Sequence, residues 1–441
     1  MLSRYSGNLL VLLTFLIVVV SRLYIVGSFA VPLPFWDQWD AEGDFLLKQW
    51  IEGRLKLTAL WEPHNEHRIF PTRLLSLAVF NITHEWNNLT AARLNVFLAA
   101  SVPAVLIWVL VKNRALSGAR LFILPVLLAQ FSLPFSFENL LIGFQSQFYF
   151  LMLFTLLALI LATFRPDHIY AKFGIVTLCL LSILTMGSGL LTSVAVLSIY
   201  LLHTLNSQKL SKQNLILSAI LIIIAVTGFL IIPKIPNYQI YRATNVSQLY
   251  NALGYILSWP VPDHQLPALL LWSPAFIVIP ILLFKRKLKP SDILLSGCFV
   301  WSFSQNLAIA YGRGQEMTEV SSRYTELLSL GLVSNAWFAI RGIQEFRGNP
   351  LRWAFLAFFV TFLFGHYIRF SMDMHDMRRN YRYSLIQTTN VCNFLKTGNG
   401  TNLQKPGNEI PFPDSARLRD LLSQPTIRQM LPKSMCEFSK P

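Results

Sequence analysis

Apolar residues gather along the chain into long runs over 9–30, 91–111, 120–136, 143–164, 171–186, 188–204, 214–232, 267–284, 291–310, 324–340 and 353–370. A hydrocarbon core about 30 Å thick is crossed by roughly 20 helical residues. Lipid offers no water to an open backbone, so helices are the natural way to cross it. The pattern predicts an all-α polytopic membrane protein of about eleven transmembrane helices. The runs 171–186 and 188–204 are separated by Met186-Gly187-Ser188-Gly189, and a single bent span there is the alternative, which changes the count by one. Leu9 to Ala30 is too long and too apolar for the central region of a signal peptide, and no small-x-small cleavage pattern follows it; it reads as a retained first span.

The polar connections between the runs alternate in character. One register holds Lys112, Arg114 and Arg120, then Arg165 and Lys172, Lys209 and Lys212, Lys285, Arg286, Lys287 and Lys289, and Arg341, Arg347 and Arg352, with hardly an acid among them. The other holds connections 31–90, 233–266 and 311–323 and the tail 371–441, mixed in charge and rich in Trp, Tyr, His, Asn and Pro. Basic connections face the cytoplasm, so the N-terminus is placed inside and the C-terminus outside. Residues 1–370 form a transmembrane domain with an outer loop at 31–90. Residues 371–441 form a small extracytoplasmic C-terminal segment, in which loop signals (Gly398, Gly400, Pro406, Pro411, Pro413) precede a helical stretch near Ser415 to Leu422.

Composition sharpens this picture. Of 441 residues, 54% are hydrophobic and 13% charged, against about 25% charged in soluble domains, and the mean hydropathy is +0.48. A formal charge of +15, from 37 basic and 22 acidic residues, would suit nucleic acid in a soluble protein. Here the basic residues sit in short clusters between apolar runs, which points to topology and away from nucleic acid. Cys179 and Cys298 lie inside apolar runs, whereas Cys392 and Cys436 lie in the tail and can pair if it faces an oxidising compartment. No internal repeat or heptad pattern stands out. Asn-x-Ser/Thr tripeptides begin at Asn81, Asn88, Asn245 and Asn399, all in outer connections and relevant only in a glycosylating host.

Candidate chemistry concentrates in the outer connections. In Pro34-Phe-Trp-Asp37-Gln-Trp-Asp40-Ala-Glu42-Gly-Asp44, Asp37 and Asp40 are three apart and share one face of a helix. Two carboxylates so close at a low-dielectric edge should resist joint ionisation, raising one pKa toward the range of a general base. A solvated acidic helix start uses the same residues. In Glu62-Pro-His64-Asn65-Glu66-His67-Arg68, the two histidines and two glutamates could hold a divalent metal, although the spacing is not His-Glu-x-x-His. Interfacial histidine and arginine also commonly just hydrogen-bond carbonyls or headgroups. Tyr311-Gly312-Arg313-Gly314 and Ser321-Ser322-Arg323-Tyr324 offer guanidinium forks matched to phosphate, or else aromatic and cationic anchors that set helix depth. Glu138-Asn139 with Gln145 and Gln147 hints at a water-filled site or at helix–helix hydrogen bonds. Tyr241-Arg242 adds a further cation, and Arg22, within the first span, either snorkels or meets a carboxylate.

The order of a first span, an outer loop with acidic residues, Asn65-Glu66-His67-Arg68 leading to Pro71, a short helix, and Asn88-Leu-Thr-Ala-Ala-Arg93-Leu-Asn95 opening the next span resembles the GT-C superfamily over about the first 110 residues. These are polytopic glycosyltransferases that use polyprenyl-phosphate-linked sugars. The resemblance implies a plasma membrane such as the bacterial inner membrane, with the site facing the periplasm or outside. It also implies a first-loop acid near the reacting hydroxyl, which points to Asp37. Gln38 follows where an Asp-Glu pair is common, so Asp40 is the alternative.

The leading expectation is therefore a membrane glycosyltransferase moving a sugar, with inversion, from a polyprenyl-phosphate donor to an extracytoplasmic lipid or glycan acceptor. Asp37 or Asp40 acts as base, and His64, Glu66, His67, Arg68, Glu138, Arg242, Arg313, Arg323 and Tyr324 form the substrate site. The leaving phosphate is neutralised by arginines, so no obligatory metal or cofactor is invoked. The alternatives are a flippase of lipid-linked sugars, which would need polar residues through many spans and broken paired helices, and an oligosaccharide polymerase or ligase, which would concentrate its signals in later loops.

Overall fold

The computed structural model describes residues 4–208, 211–262, 265–315 and 317–438; Lys209, counted above, lies outside them. Among the described residues every regular element is helical. The principal helices are α1 (Arg4–Phe29), α2 (Phe70–Thr83), α3 (Asn88–Lys112), α4 (Ile123–Ser132), α5 (Ser146–Phe164), α6 (Ile169–Ile183) and α7 (Leu190–Ser207). They continue as α8 (Lys212–Leu230), α9 (Val246–Ser258), α10 (Pro267–Phe284), α11 (Pro290–Arg313), α12 (Thr325–Glu345), α13 (Arg352–Thr397) and α14 (Ser415–Ser423). Among the described residues, eight helices are long and apolar enough to cross a membrane, and 118–132 and 169–183 are shorter apolar helices. The protein is thus an α-helical, polytopic membrane-type bundle.

α12 shows why hydropathy alone understates such a bundle. Every residue from Thr325 to Ile340 is buried, and the helix carries Glu326, Ser329, Ser334 and Asn335. A helix ringed by other helices needs no lipid-compatible face, so it tolerates polar side chains that find partners. Ser329 accepts from Gln130 at 3.0 Å, and Asn335 accepts the Ala275 N–H at 3.1 Å.

Contacts sort the helix termini into two ends. At one, Gly7 approaches Val111, Lys172 reaches Gln213 at 3.0 Å, Lys285 pairs with Glu345 at 2.7 Å and Arg341 with Asp292 at 3.3 Å. Asp292 also accepts the Lys289 N–H at 3.0 Å and Trp337 Nε1–H at 2.8 Å, tying the start of α11 to the last turns of α12. The basic connections thereby gather at this end. At the other lie loop 31–90, the α6–α7 reversal, the end of α8, the end of α11 and the start of α12, joined by contacts described below.

A second apolar core sits outside the bundle. Leu33, Trp39, Leu46, Leu47, Leu77 and Trp86 of loop 31–90 pack with Val391, Phe394, Leu418, Leu422 and Met430 of the tail. Within it Gln38–Lys48 winds as a π-helix, and buried Glu42 accepts from Gln38, Ser76 and Trp86 at 2.9, 2.5 and 2.9 Å. α13 does not stop near Phe370 but runs on to Thr397, where Gly398 (φ 69°) ends it in the left-handed conformation glycine accepts. A disulfide joins Cys392 to Cys436.

Candidate functional site

Loop 31–90 doubles back at His64-Asn65-Glu66-His67. The His64 N–H donates to the His67 carbonyl at 2.7 Å and the His67 N–H to the His64 carbonyl at 3.0 Å. Asn65 supplies the left-handed φ of 51° that the tight turn needs, a conformation asparagine tolerates. This turn is seated on the reversal between α6 and α7. Gly187 N–H donates to His67 Nδ1 at 3.1 Å, and the Ile69 and Phe70 N–H groups donate to the carbonyls of Thr185 and Leu184 at 3.1 and 2.8 Å. A Cβ on Gly187 would stand 2.5 Å from the Glu66 carbonyl oxygen, so glycine permits the approach. The Met186–Gly189 interruption is therefore a true break between two helices. Ile69 holds a left-handed φ of 45°, a strained choice for a β-branched residue.

Charged groups collect around this turn. Asp37 Oδ2 lies 3.6 Å from His64 Nε2, and the His64 ring stands edge-on to Phe144 with centroids 5.7 Å apart. His64 holds the Asp37 carboxyl below the usual carboxylate range; desolvation opposes this, and the charges of Arg323 and His67 add to it. Glu66 pairs with Arg313 at 3.2 Å and Arg242 at 3.8 Å. The two arginines are neighbours because their connections zip together: Ala243 N–H donates to the Tyr311 carbonyl at 2.9 Å and Gln315 N–H to that of Tyr241 at 3.1 Å. Arg313 stacks over Tyr238 at 4.7 Å and Tyr241 at 5.6 Å.

Arg323 is positioned through its backbone. Its N–H donates to Glu138 at 3.1 Å, which also accepts from the hydroxyls of Ser321 and Ser322 at 2.6 and 2.9 Å, while Asn139 donates to the Arg323 carbonyl at 2.7 Å. The guanidinium is left exposed beside Tyr324, 5.4 Å from its ring centroid, and its charge is felt at Asp37, His67 and Tyr238. Tyr324 itself is half-buried against the bundle core.

Other expected residues go elsewhere. Asp40 is taken by Arg417 of α14 at 3.1 Å, and the same guanidinium holds Asp44 at 2.6 Å. Asp37 faces His64 while Asp40 faces the tail, so in place of the expected elevation of one carboxylate by the other, Asp37 is lowered. Arg68 braces the loop by donating to the carbonyls of Trp61 at 2.9 Å and Ile231 at 3.2 Å. Among the described residues no three His, Cys, Asp or Glu gather as metal ligands. Asn88 is buried and donates to the carbonyls of Val31 and Leu141, both at 3.0 Å, which makes it a strut of the loop. Arg22 meets Glu326 at 2.9 Å, with Tyr149 at 3.4 Å and the Phe131 carbonyl at 2.6 Å, and not Glu138.

Sequence reasoning passed over Tyr238, Phe144, Arg417 and Glu326. An acid isolated in an apolar run is the signal that would have found Glu326; Arg417 sits in a polar tail with nothing to mark it. No protein-family model matches the chain, and no curated protein or solved structure proves similar to it.

Proposed function

We propose that the chain is a membrane glycosyltransferase of GT-C type, with eleven crossings, its N-terminus inside and its site at the outer surface of a plasma membrane. It moves a sugar from a polyprenyl-phosphate donor to a lipid or glycan acceptor. The observation that carries the reading is the turn at His64–His67, where Asp37, from the loop after α1, lies 3.6 Å from His64, while Glu66 pairs at 3.2 Å with Arg313 at the end of α11 and at 3.8 Å with Arg242. In the reaction the acceptor oxygen attacks the anomeric carbon and its proton passes to Asp37. The bond from that carbon to the phosphate oxygen breaks with inversion, and Arg323 and Arg313 stabilise the polyprenyl phosphate that leaves. The basic connections gathered at the opposite end support the orientation, and the Cys392–Cys436 disulfide fits a tail on the oxidising side.

Because its pKa is lowered, Asp37 is already ionised at neutral pH, and turnover should persist to lower pH than an ordinary carboxylate would allow. Asp37→Asn in proteoliposomes with a polyprenyl-phosphate sugar is expected to abolish transfer, by roughly a hundredfold or more, while leaving the protein folded. Normal turnover in that variant removes Asp37 from the mechanism.

A lipid-linked sugar transporter is the second reading, favoured by the buried Arg22–Glu326 pair inside the bundle. Movement of the lipid-linked sugar across the bilayer without new glycosidic bonds would select it.

A further inference from the structure

α13 presents an outward stripe between Val360 and Arg382. At 100° per residue, Val360, Phe364, Ser371, His375, Arg378, Arg379 and Arg382 fall within a sector of about 100°, and all are exposed. His366, Asp373 and Met377 point the opposite way and are buried. Along this stripe the chemistry changes abruptly: Val360 and Phe364, 68% and 58% exposed, suit hydrocarbon, and beyond Ser371 the same face turns cationic.

The position of that change is set by helix rise. A crossing that begins at Arg352 uses about 20 residues and ends near Ser371; Arg378 then stands roughly 10 Å farther along the axis, within reach of headgroups once its long side chain folds back. On the adjoining surface Asp376 is neutralised by Arg379 at 3.0 Å. Among the described residues Arg378 and Arg382 make no salt bridge, so their guanidinium forks remain available. Ser371 and His375 lie exposed on the same face, within two turns below Arg378. Three arginines here also oppose the inward bias of basic residues in the topology proposed above, which a purely structural surface would have no reason to do.

We propose that this stripe binds the phosphate of an anionic lipid headgroup, with Arg378 and Arg382 as the forks that grip it and Ser371 and His375 beneath them. The inference rests on α13 being a membrane helix and not on sugar transfer, so it survives if the glycosyltransferase reading fails.

The test uses the full chain in detergent, titrated with phosphatidylglycerol or phosphatidylcholine and followed by native mass spectrometry. Wild type should prefer phosphatidylglycerol, and R378Q/R382Q should weaken that binding roughly tenfold to thirtyfold. R286Q/K287Q, at the opposite end of the bundle, should leave it unchanged. Equal binding by wild type and R378Q/R382Q, or equal loss in both double variants, would overturn the proposal. Glycerol 1-phosphate added at the lipid's concentration should not displace the lipid; displacement would show that a soluble phosphate is the ligand and sink the lipid assignment. If R378Q/R382Q does not fold, R378K/R382K provides the second arm: retained preference for phosphatidylglycerol supports the site, and no preference overturns it.

Discussion

His67 can accept the Gly187 N–H through Nδ1 only while that nitrogen is unprotonated. Loss of water around the ring, aided by the charge of His64 and by Arg313 and Arg323, lowers its pKa to about 4, against a hydrogen bond from the ring to the Glu66 backbone that raises it. The unfolded chain takes up the proton near pH 6.5 while the folded one does not, so the contribution is intact above that pH and is lost as the pH falls toward 4. Thermal stability of wild type in detergent should therefore fall over this window more steeply than that of His67→Gln; parallel profiles would show that the ring is not the sensor. Arg22 and Glu326 are 1% and 2% exposed. Removing one partner of a buried pair leaves an uncompensated charge, so Glu326→Ala should cost about 3–5 kcal/mol in unfolding measurements, and a change near zero would mean that water reaches Arg22.

At the scale of elements, loop 31–90 and the tail fold as one unit. Trp36 N–H donates to the Pro411 carbonyl at 2.8 Å and Trp86 N–H to that of Met430 at 2.6 Å, so the tail helps to set the backbone immediately before Asp37. The disulfide closes 44 residues of this tail. Cys392→Ser with Cys436→Ser should lower the stability of the unit by about 2–4 kcal/mol, read as faster amide exchange in α14, with the bundle helices unaffected. The short tail helix was legible in the sequence near Ser415 to Leu422, because the Gly and Pro loop signals that precede it are local features; the structure adds that Asp414 caps it. The continuation of α13 past Phe370 was not. Its polar residues resemble a loop until their buried side is matched with partners such as Leu418 and Trp86, far away in sequence.

For the whole molecule, the eleven apolar runs each coincide with a helix, although only eight of the described helices meet the length and hydropathy expected of a span. α12 departs because its neighbours, not lipid, surround it. The orientation proposed above predicts that cysteines introduced at Lys287 and at Asn402 are labelled by an impermeant maleimide from opposite sides of the membrane, Asn402 from outside; labelling of both from one side would remove the eleven-span topology.

The amino-acid sequence alone determined the helical membrane body, the alternation of basic and mixed connections, and the stretches that hold reactive side chains. Each depends on the spacing of residues close together in the chain, and a solvent without water reads that spacing directly. Which charges meet was decided only in three dimensions. Asp37 with His64, Asp40 with Arg417, Glu66 with Arg313 and Arg22 with Glu326 all join separate elements. Electrostatic partnership falls off with distance in space, and that distance is a property of the packed helices rather than of any segment.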